Sequence, residues 1–276
     1  MKAALVQICA SDDPAANLPK TEALIRQAAD DGADLVLTPE VTNIVSASRT
    51  RQNEVLSLQD DDATLARLRE VSAQTGIWLS IGSLALKSGD EDGRFVNRQF
   101  LIGPDGAITA TYDKIHMFDV ELGGEESYRE SKGYRPGERA VLADTPFGQI
   151  GLTICYDMRF PALYRALAEA GARVLTVPSA FTVPTGRAHW ETLLRARAIE
   201  TGCFVLAAAQ WGTHAATRGR VRETYGHSLA VDPWGRVLAD AGEGTGVTLV
   251  DLDLDQVDQT RAKVPSLANA RSFSGP

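Results

Sequence analysis

The chain has 276 residues, 44% hydrophobic and 23% charged, with a formal net charge of −8. That composition suits a soluble globular protein of one large or two small α/β domains. The acidic balance argues against a partner bound through its phosphate backbone, and an anionic substrate would need a local positive site.

The first residues, MKAALVQIC, are too short an apolar run to cross a membrane and lack a signal-peptide layout, so they read as a strand. Residues 15–31 carry Leu18, Ala23, Leu24 and Ala28 at helical spacing, with Gly32 as the stop. DLVLTPE reads as a buried strand, and a helix over 61–75 ends at Gly76. WLSIGSLAL, FVNRQFLIG and ITATYDK follow as strands parted by turns such as GPDG. QIGLTIC, a helix from Pro161 and RVLTVPSAF then repeat the strand–helix–strand pattern of the N-terminus. A helix over 186–201, in which Leu193, Leu194, Ala196, Ala198 and Ile199 look like packing residues, leads to the strand CFVLAAAQ. Two strands joined by DPWG and the strand VTLVDLDL complete the pattern. Two such halves predict two sheets packed face to face with helices outside, an α/β fold of αββα layers. With no linker or low-complexity segment, 1–276 reads as a single domain, its tail from about 264 to 276 free to reach a partner subunit.

Polar residues stand just past four of the apolar runs: Glu40, Lys114, Cys155 and Ser179. Such strand ends are where ligands gather in α/β sheets. A thiol, a carboxylate and an ammonium suffice to hydrolyse a carbon–nitrogen bond, as nucleophile, proton shuttle and oxyanion partner. Each also has an ordinary reading: Cys155 as a small buried hydrophobe, Glu40 as a helix cap, Lys114 as a surface lysine. The YDMRFP after Cys155 favours chemistry, because a helix opening there would lower the thiol pKa through its dipole and offer the Tyr156 N–H to an oxyanion. Cys9, followed by ASDDP, reads as structural and Cys203 as core. Three cysteines without a CxxC pair suggest no disulfide framework and a reducing, cytoplasmic setting. His116, His189, His214 and His227 show no metal-binding spacing, although a Cys–His pair with His189 or His227 stays open. GEGTG at 242–246 precedes a strand and reads as a turn, and no GxSxG elbow is present.

TPE at 38–40, YDKIHMFD at 112–119 and ICYDMRFP at 154–161 resemble the three motifs of the nitrilase superfamily of carbon–nitrogen hydrolases. PSAFTVPTGRAHWETLLRARAIET and YGHSLAVDPWG extend the likeness over nearly the whole chain, toward the Nit branch of deaminated glutathione and ω-amide amidases. The resemblance implies the αββα sandwich, a homodimer or larger assembly, and no metal or organic cofactor. It makes Glu40 the general base, Lys114 the cationic oxyanion partner and Cys155 the nucleophile. YRESKGYRPGE resembles the stretch with a second glutamate, which maps to Glu130, with Glu125, Glu126 and Glu138 close by. Arg187, where a proline is expected, and the insertion GTHAATRGRVRET are the main departures.

The expected activity is hydrolysis of a terminal amide on a small carboxylate-bearing molecule. Arg159 is the candidate carboxylate clamp, with Phe181 and Thr185 lining the same pocket; otherwise Arg159 pairs internally with Asp157 or Glu40. Competing readings are an ω-amidase of α-keto acid amides, a nitrilase or N-carbamoyl hydrolase, a non-catalytic binding member of the fold, and a thiol redox protein. No nucleic-acid or membrane partner is expected.

Overall fold

The computed structural model describes residues 1–123 and 127–275. In chain order the elements are β1 (Lys2–Gln7), α1 (Pro14–Asp30), β2 (Leu35–Leu37), α2 (Arg49–Val55), α3 (Ala63–Thr75), β3 (Trp78–Lys87), β4 (Phe95–Ile102) and β5 (Ile108–Asp113). They continue with β6 (Asp119–Glu121), β7 (Ser127–Arg129), β8 (Val141–Thr145), β9 (Gly148–Leu152), α4 (Pro161–Glu169), β10 (Ala172–Thr176), α5 (Val183–Thr201) and β11 (Phe204–Ala207). Last come β12 (Trp211–His214), β13 (Arg222–Tyr225), β14 (Leu229–Val231), β15 (Val237–Asp240), β16 (Gly246–Asp251) and α6 (Asp255–Lys263).

Two six-stranded sheets result, ordered β16-β1-β2-β3-β4-β5 and β15-β14-β11-β10-β9-β8. They correspond strand for strand. β1, β2 and β3 run parallel, as do β9, β10 and β11, and each trio is flanked by antiparallel neighbours. The repeat visible in the sequence is thus a repeat of topology. Strand alternation builds the layers. Ala3 and Leu5 of β1 join Leu152 and Val174 of the other sheet in one core, while Ala4 and Val6 pack against Ile25 of α1 and Leu68 of α3 in another. Gln99 ties the sheets across their interface, donating to Ser80 Oγ at 3.1 Å and Thr176 Oγ1 at 2.8 Å.

Local chemistry sets the helix ends. Asp62 caps α3, accepting from Leu65 N at 2.8 Å, and Gly76 closes it at φ 70°. In α1 the buried stripe is Asn17, Thr21, Ile25 and Ala28, rotated from the Leu18–Ala23–Leu24 face expected. Asn17 is held inward because its amide bonds Ser11 and Asn43. Ile199, expected to pack, is 54% exposed, whereas Leu194 and Ala198 are fully buried. α6 was not anticipated: its first turn holds Asp255 and Asp258 and only Val257 is buried, so it carries almost no apolar period. Among the described residues no helix is long and apolar enough to cross a membrane.

Candidate active site

Four chain segments meet beyond the carboxyl ends of β2, β5, β9 and β10. Thr38-Pro39-Glu40 leaves β2, Lys114 follows β5, Cys155 follows β9, and Pro178-Ser179-Ala180 leaves β10. Gly82 of β3 makes room for this convergence: a Cβ there would lie 2.0 Å from Thr38 O and 2.5 Å from Pro178 Cβ.

Lys114 is buried, and its Nζ donates to Glu40 Oε1 at 2.8 Å and to Glu130 Oε1 and Oε2 at 3.0 and 2.9 Å. Asn97 Nδ2 also donates to Glu40 Oε1 at 2.9 Å, and the Ala180 N–H donates to Oε2 at 2.9 Å. Glu130 is oriented by the Phe118 N–H, which donates to its Oε2 at 2.6 Å. Of the neighbouring glutamates, Glu138 is exposed, and Glu125 and Glu126 lie outside the described residues.

Cys155 is buried and takes φ 47°, a left-handed conformation that non-glycine residues seldom adopt. Its N–H donates to Pro178 O at 2.9 Å, fixing the bend between β9 and the following 3₁₀ turn. Val41, next to Glu40, is likewise left-handed at φ 46°, its N–H donating to Ser83 Oγ at 2.7 Å. Left-handed backbone at Cys155 and next to Glu40 thus sets both side chains, and the surrounding hydrogen bonds hold it in place.

The electrostatics correct the expectation of a dipole-activated thiol. Only a 3₁₀ turn, Cys155–Arg159, follows the sulfur, and α4 begins later at Pro161. Burial pushes the Cys155 thiol well above its ordinary value, and the Glu40 carboxylate raises it further; Lys114 and the Ala180 N–H only partly offset them. Burial also pushes Glu40 upward, but the Lys114 ammonium and hydrogen bonds from Lys114, Cys155 and Asn97 outweigh it and hold the carboxyl low. Burial opposes the charge on Lys114, yet Glu130 and Glu40 raise its pKa well above normal. The resting arrangement is a neutral thiol in the field of a carboxylate that is itself paired with an ammonium.

Asp157, fully buried, organises the turn. Its Oδ2 accepts from the Ile154 N–H at 2.8 Å and the Tyr112 hydroxyl at 2.7 Å, and its Oδ1 accepts from the His116 N–H at 3.0 Å and meets His116 Nδ1 at 2.7 Å. Asp157 is therefore committed, and Arg159 pairs with neither it nor Glu40. The Arg159 guanidinium instead meets His189 Nδ1 at 3.2 Å and lies over the rings of Tyr156 and Phe181, at 5.8 and 5.5 Å. His227 turns away to Asp240, so neither of the histidines considered for a Cys–His pair reaches the sulfur.

A cavity of about 520 Å³ opens onto the cluster. Glu40, Lys114, Cys155 and Glu130 line it together with Tyr156, Phe181 and Thr185; Arg159 does not. Four segments carrying an acid, a base partner and a thiol into one cavity fit the motifs read from the sequence, and residues 2–262 match the carbon–nitrogen hydrolase family. The chain belongs to that family. It is 39% identical over 272 residues to a deaminated glutathione amidase of Yersinia enterocolitica, covering 98% of this chain and 93% of the relative. Its fold matches the crystal structure of the Caenorhabditis elegans NitFhit protein with a TM-score of 0.90 at 37% identity; the match spans 98% of this chain and 65% of that longer one. It also matches a glutamate-to-glutamine mutant of the amidase from Nesterenkonia sp. AN1, in which acrylamide has added to the active-site cysteine. That likeness has a TM-score of 0.77 and 28% identity, covering 96% of this chain and 98% of the other. This carbon–nitrogen hydrolase is accordingly a cysteine-dependent amidase of the nitrilase superfamily.

Three contributors had weak sequence signals. Asn97 is the first of three consecutive polar residues in FVNRQF, and nothing in the sequence marks it rather than Arg98 or Gln99 as the partner of Glu40. Asp157 sits within the motif but reads as a turn residue. The Ala180 N–H has no side-chain signature at all.

Proposed function

We propose that this amidase cleaves the terminal amide of a small carboxylate-bearing molecule, in the manner of the deaminated glutathione amidases it resembles, with 1–276 acting as one catalytic domain. Glu40 takes the Cys155 proton and the sulfur attacks the amide carbonyl carbon. The oxyanion forms against the Lys114 ammonium and the Tyr156 N–H. Glu40 passes the proton to the departing nitrogen, the C–N bond breaks, and ammonia leaves a thioester on Cys155. Glu40 then draws a proton from water, whose oxygen attacks the thioester, and the proton returns to the sulfur as the acid leaves. Glu130 holds Lys114 and the substrate amide in register. The balance is amide plus water to acid plus ammonia.

The single observation behind this reading is the Lys114 ammonium, bonded to Glu40 at 2.8 Å and to Glu130, at the floor of the cavity that holds the thiol. A thiol pushed up by burial and by Glu40 needs a base at the moment of attack, and a low-pKa carboxylate in contact with it supplies one. Phe181 and Thr185 form the wall beside Tyr156.

Two wider expectations go with it. Three free cysteines suit a reducing, cytoplasmic setting. Trp234 and Val264, both more than half exposed, lie with Ile199 and Lys263 on a surface suited to a homodimer contact beside the tail. Ammonia release across deaminated glutathione, α-keto ω-amides, N-carbamoyl compounds and nitriles tests the substrate class, with the acyl adduct read by intact mass. Turnover confined to nitriles or N-carbamoyl compounds would overturn the amide assignment.

A further inference from the structure

The insertion that interrupts the sequence motifs folds as the β12–β13 hairpin and docks on the loop after β10. Tyr225 N donates to Phe181 O at 2.9 Å, and Thr182 and Thr224 form a bridge. This brings Arg222, the first residue of β13, into the wall of the catalytic cavity. Arg222 Nη2 reaches Ala180 O at 3.5 Å, a long contact. Ala180 is the residue whose N–H faces Glu40 and the Cys155 thiol, so one residue separates this guanidinium from the reacting groups.

Three other cations of the cavity wall are engaged, while Lys132 at its rim is exposed to solvent. Lys114 serves two carboxylates, Arg49 donates to the carbonyls of Gly93 and Gly133, and Arg129 serves Glu121 and the carbonyls of Val120 and Tyr128. Arg222 differs. Its Nε is buried without a hydrogen-bond partner, and among the described residues it makes no ion pair. Its guanidinium carbon lies 5.9 Å from the centre of the Tyr128 ring, which also carries Arg220 at 5.0 Å. A buried guanidinium N–H left unpaired is costly, and a planar fork beside a reaction centre suits a carboxylate.

We propose that Arg222 is the specificity-determining residue that holds the free carboxylate of the substrate while its amide lies on Cys155. The ligand class is a short dicarboxylic acid monoamide, and this inference deepens the amidase reading above. The local positive site that an anionic substrate needs on an acidic protein is then supplied by the insertion rather than by Arg159.

Two measurements test it. In the first, kcat/KM is measured for a dicarboxylic acid monoamide, glutaramate, and for its neutral methyl ester, in the wild type and in Arg222→Gln and Arg222→Lys. The preference for the acid over the ester should fall about 10–100-fold in Arg222→Gln, chiefly through KM, and less in Arg222→Lys, which keeps the charge but loses the fork. If both substrates weaken together and the ratio holds, Arg222 only supports the Ala180 peptide and the proposal is overturned. In the second, glutarate binding is measured by calorimetry on Cys155→Ala with and without Arg222→Gln. Affinity should fall by a similar factor, and an unchanged affinity overturns the proposal. An Arg222-dependent glutarate affinity in a protein that hydrolyses no amide would keep the clamp and sink the amidase reading instead.

Discussion

Lys114 and Glu40, 74 positions apart in the chain, are joined by a buried 2.8 Å hydrogen bond, and the same ammonium holds both oxygens of Glu130. One cation thus pairs with two carboxylates within the cavity wall. Removing it should damage fold and chemistry together. Lys114→Ala is expected to lose on the order of 3–5 kcal/mol in urea unfolding, because the buried Glu40 and the half-buried Glu130 lose their partner. Turnover should fall about 10²–10³-fold through loss of an oxyanion donor. A variant as stable as the wild type would show that the carboxylates are not held by this ammonium.

Glu40→Gln separates the two things Glu40 does to the thiol. As a base it is needed for turnover, so ammonia release should fall at least about 10²-fold. As a negative charge it raises the Cys155 pKa, while Lys114 lowers it. The neutral glutamine should therefore move the thiol titration, followed by iodoacetamide alkylation against pH, to lower pH. An unchanged or upward-moving titration would contradict the charge balance described for the site.

The left-handed bend at Cys155 makes a prediction that needs no catalysis. At an ordinary backbone position Gly is less stable than Ala by roughly 0.5–1 kcal/mol. At φ 47° the strain on a Cβ, about 1–2 kcal/mol, offsets or exceeds that preference. Cys155→Gly should therefore match Cys155→Ala or exceed it by up to about 1 kcal/mol in chemical denaturation. A clear deficit for Gly would mean that the bend is relaxed in solution.

His214, buried in the hairpin, should make the protein acid-sensitive. Burial pushes its pKa down to about 4 and Arg222 adds repulsion, while the hydrogen bond between its Nδ1 and Ala10 O offsets them only in part. Between pH 6.5 and 4 the unfolded chain binds a proton that the folded chain refuses. Stability contributed by this residue is therefore complete above pH 6.5 and is lost as pH falls to about 4, by on the order of 3 kcal/mol. Unfolding free energies at pH 7 and pH 4.5 should drop less in His214→Gln than in the wild type. Equal drops would remove His214 as the cause.

Much of the fold was legible because continuous apolar runs and glycine stops report directly on buried strands and helix ends. The strand ends carrying Glu40 and Cys155 were legible for the same reason, each following an apolar run that lies inside, whereas the strand before Lys114 buries only Tyr112. What stayed hidden depended on spatial neighbours. Nothing local distinguishes Ile199, which is exposed, from Leu194, which is buried five residues earlier. α6 forms without an apolar stripe. Arg159 sits beside the motif cysteine in sequence, yet ring contacts with Tyr156 and Phe181 draw it outside the cavity wall, while Arg222 arrives from an insertion 67 residues beyond Cys155. The thiol's elevated pKa follows from burial and a carboxylate contributed by a strand 115 residues away, and no local pattern around Cys155 encodes that.

The central claim is that the sulfur of Cys155 attacks the amide. The most direct measurement is the steady-state release of ammonia from the best amide in the panel by folded Cys155→Ala, set against the wild type. The account predicts a fall of at least about 10⁴-fold, as expected when a covalent nucleophile is removed; release within tenfold of the wild type would contradict it.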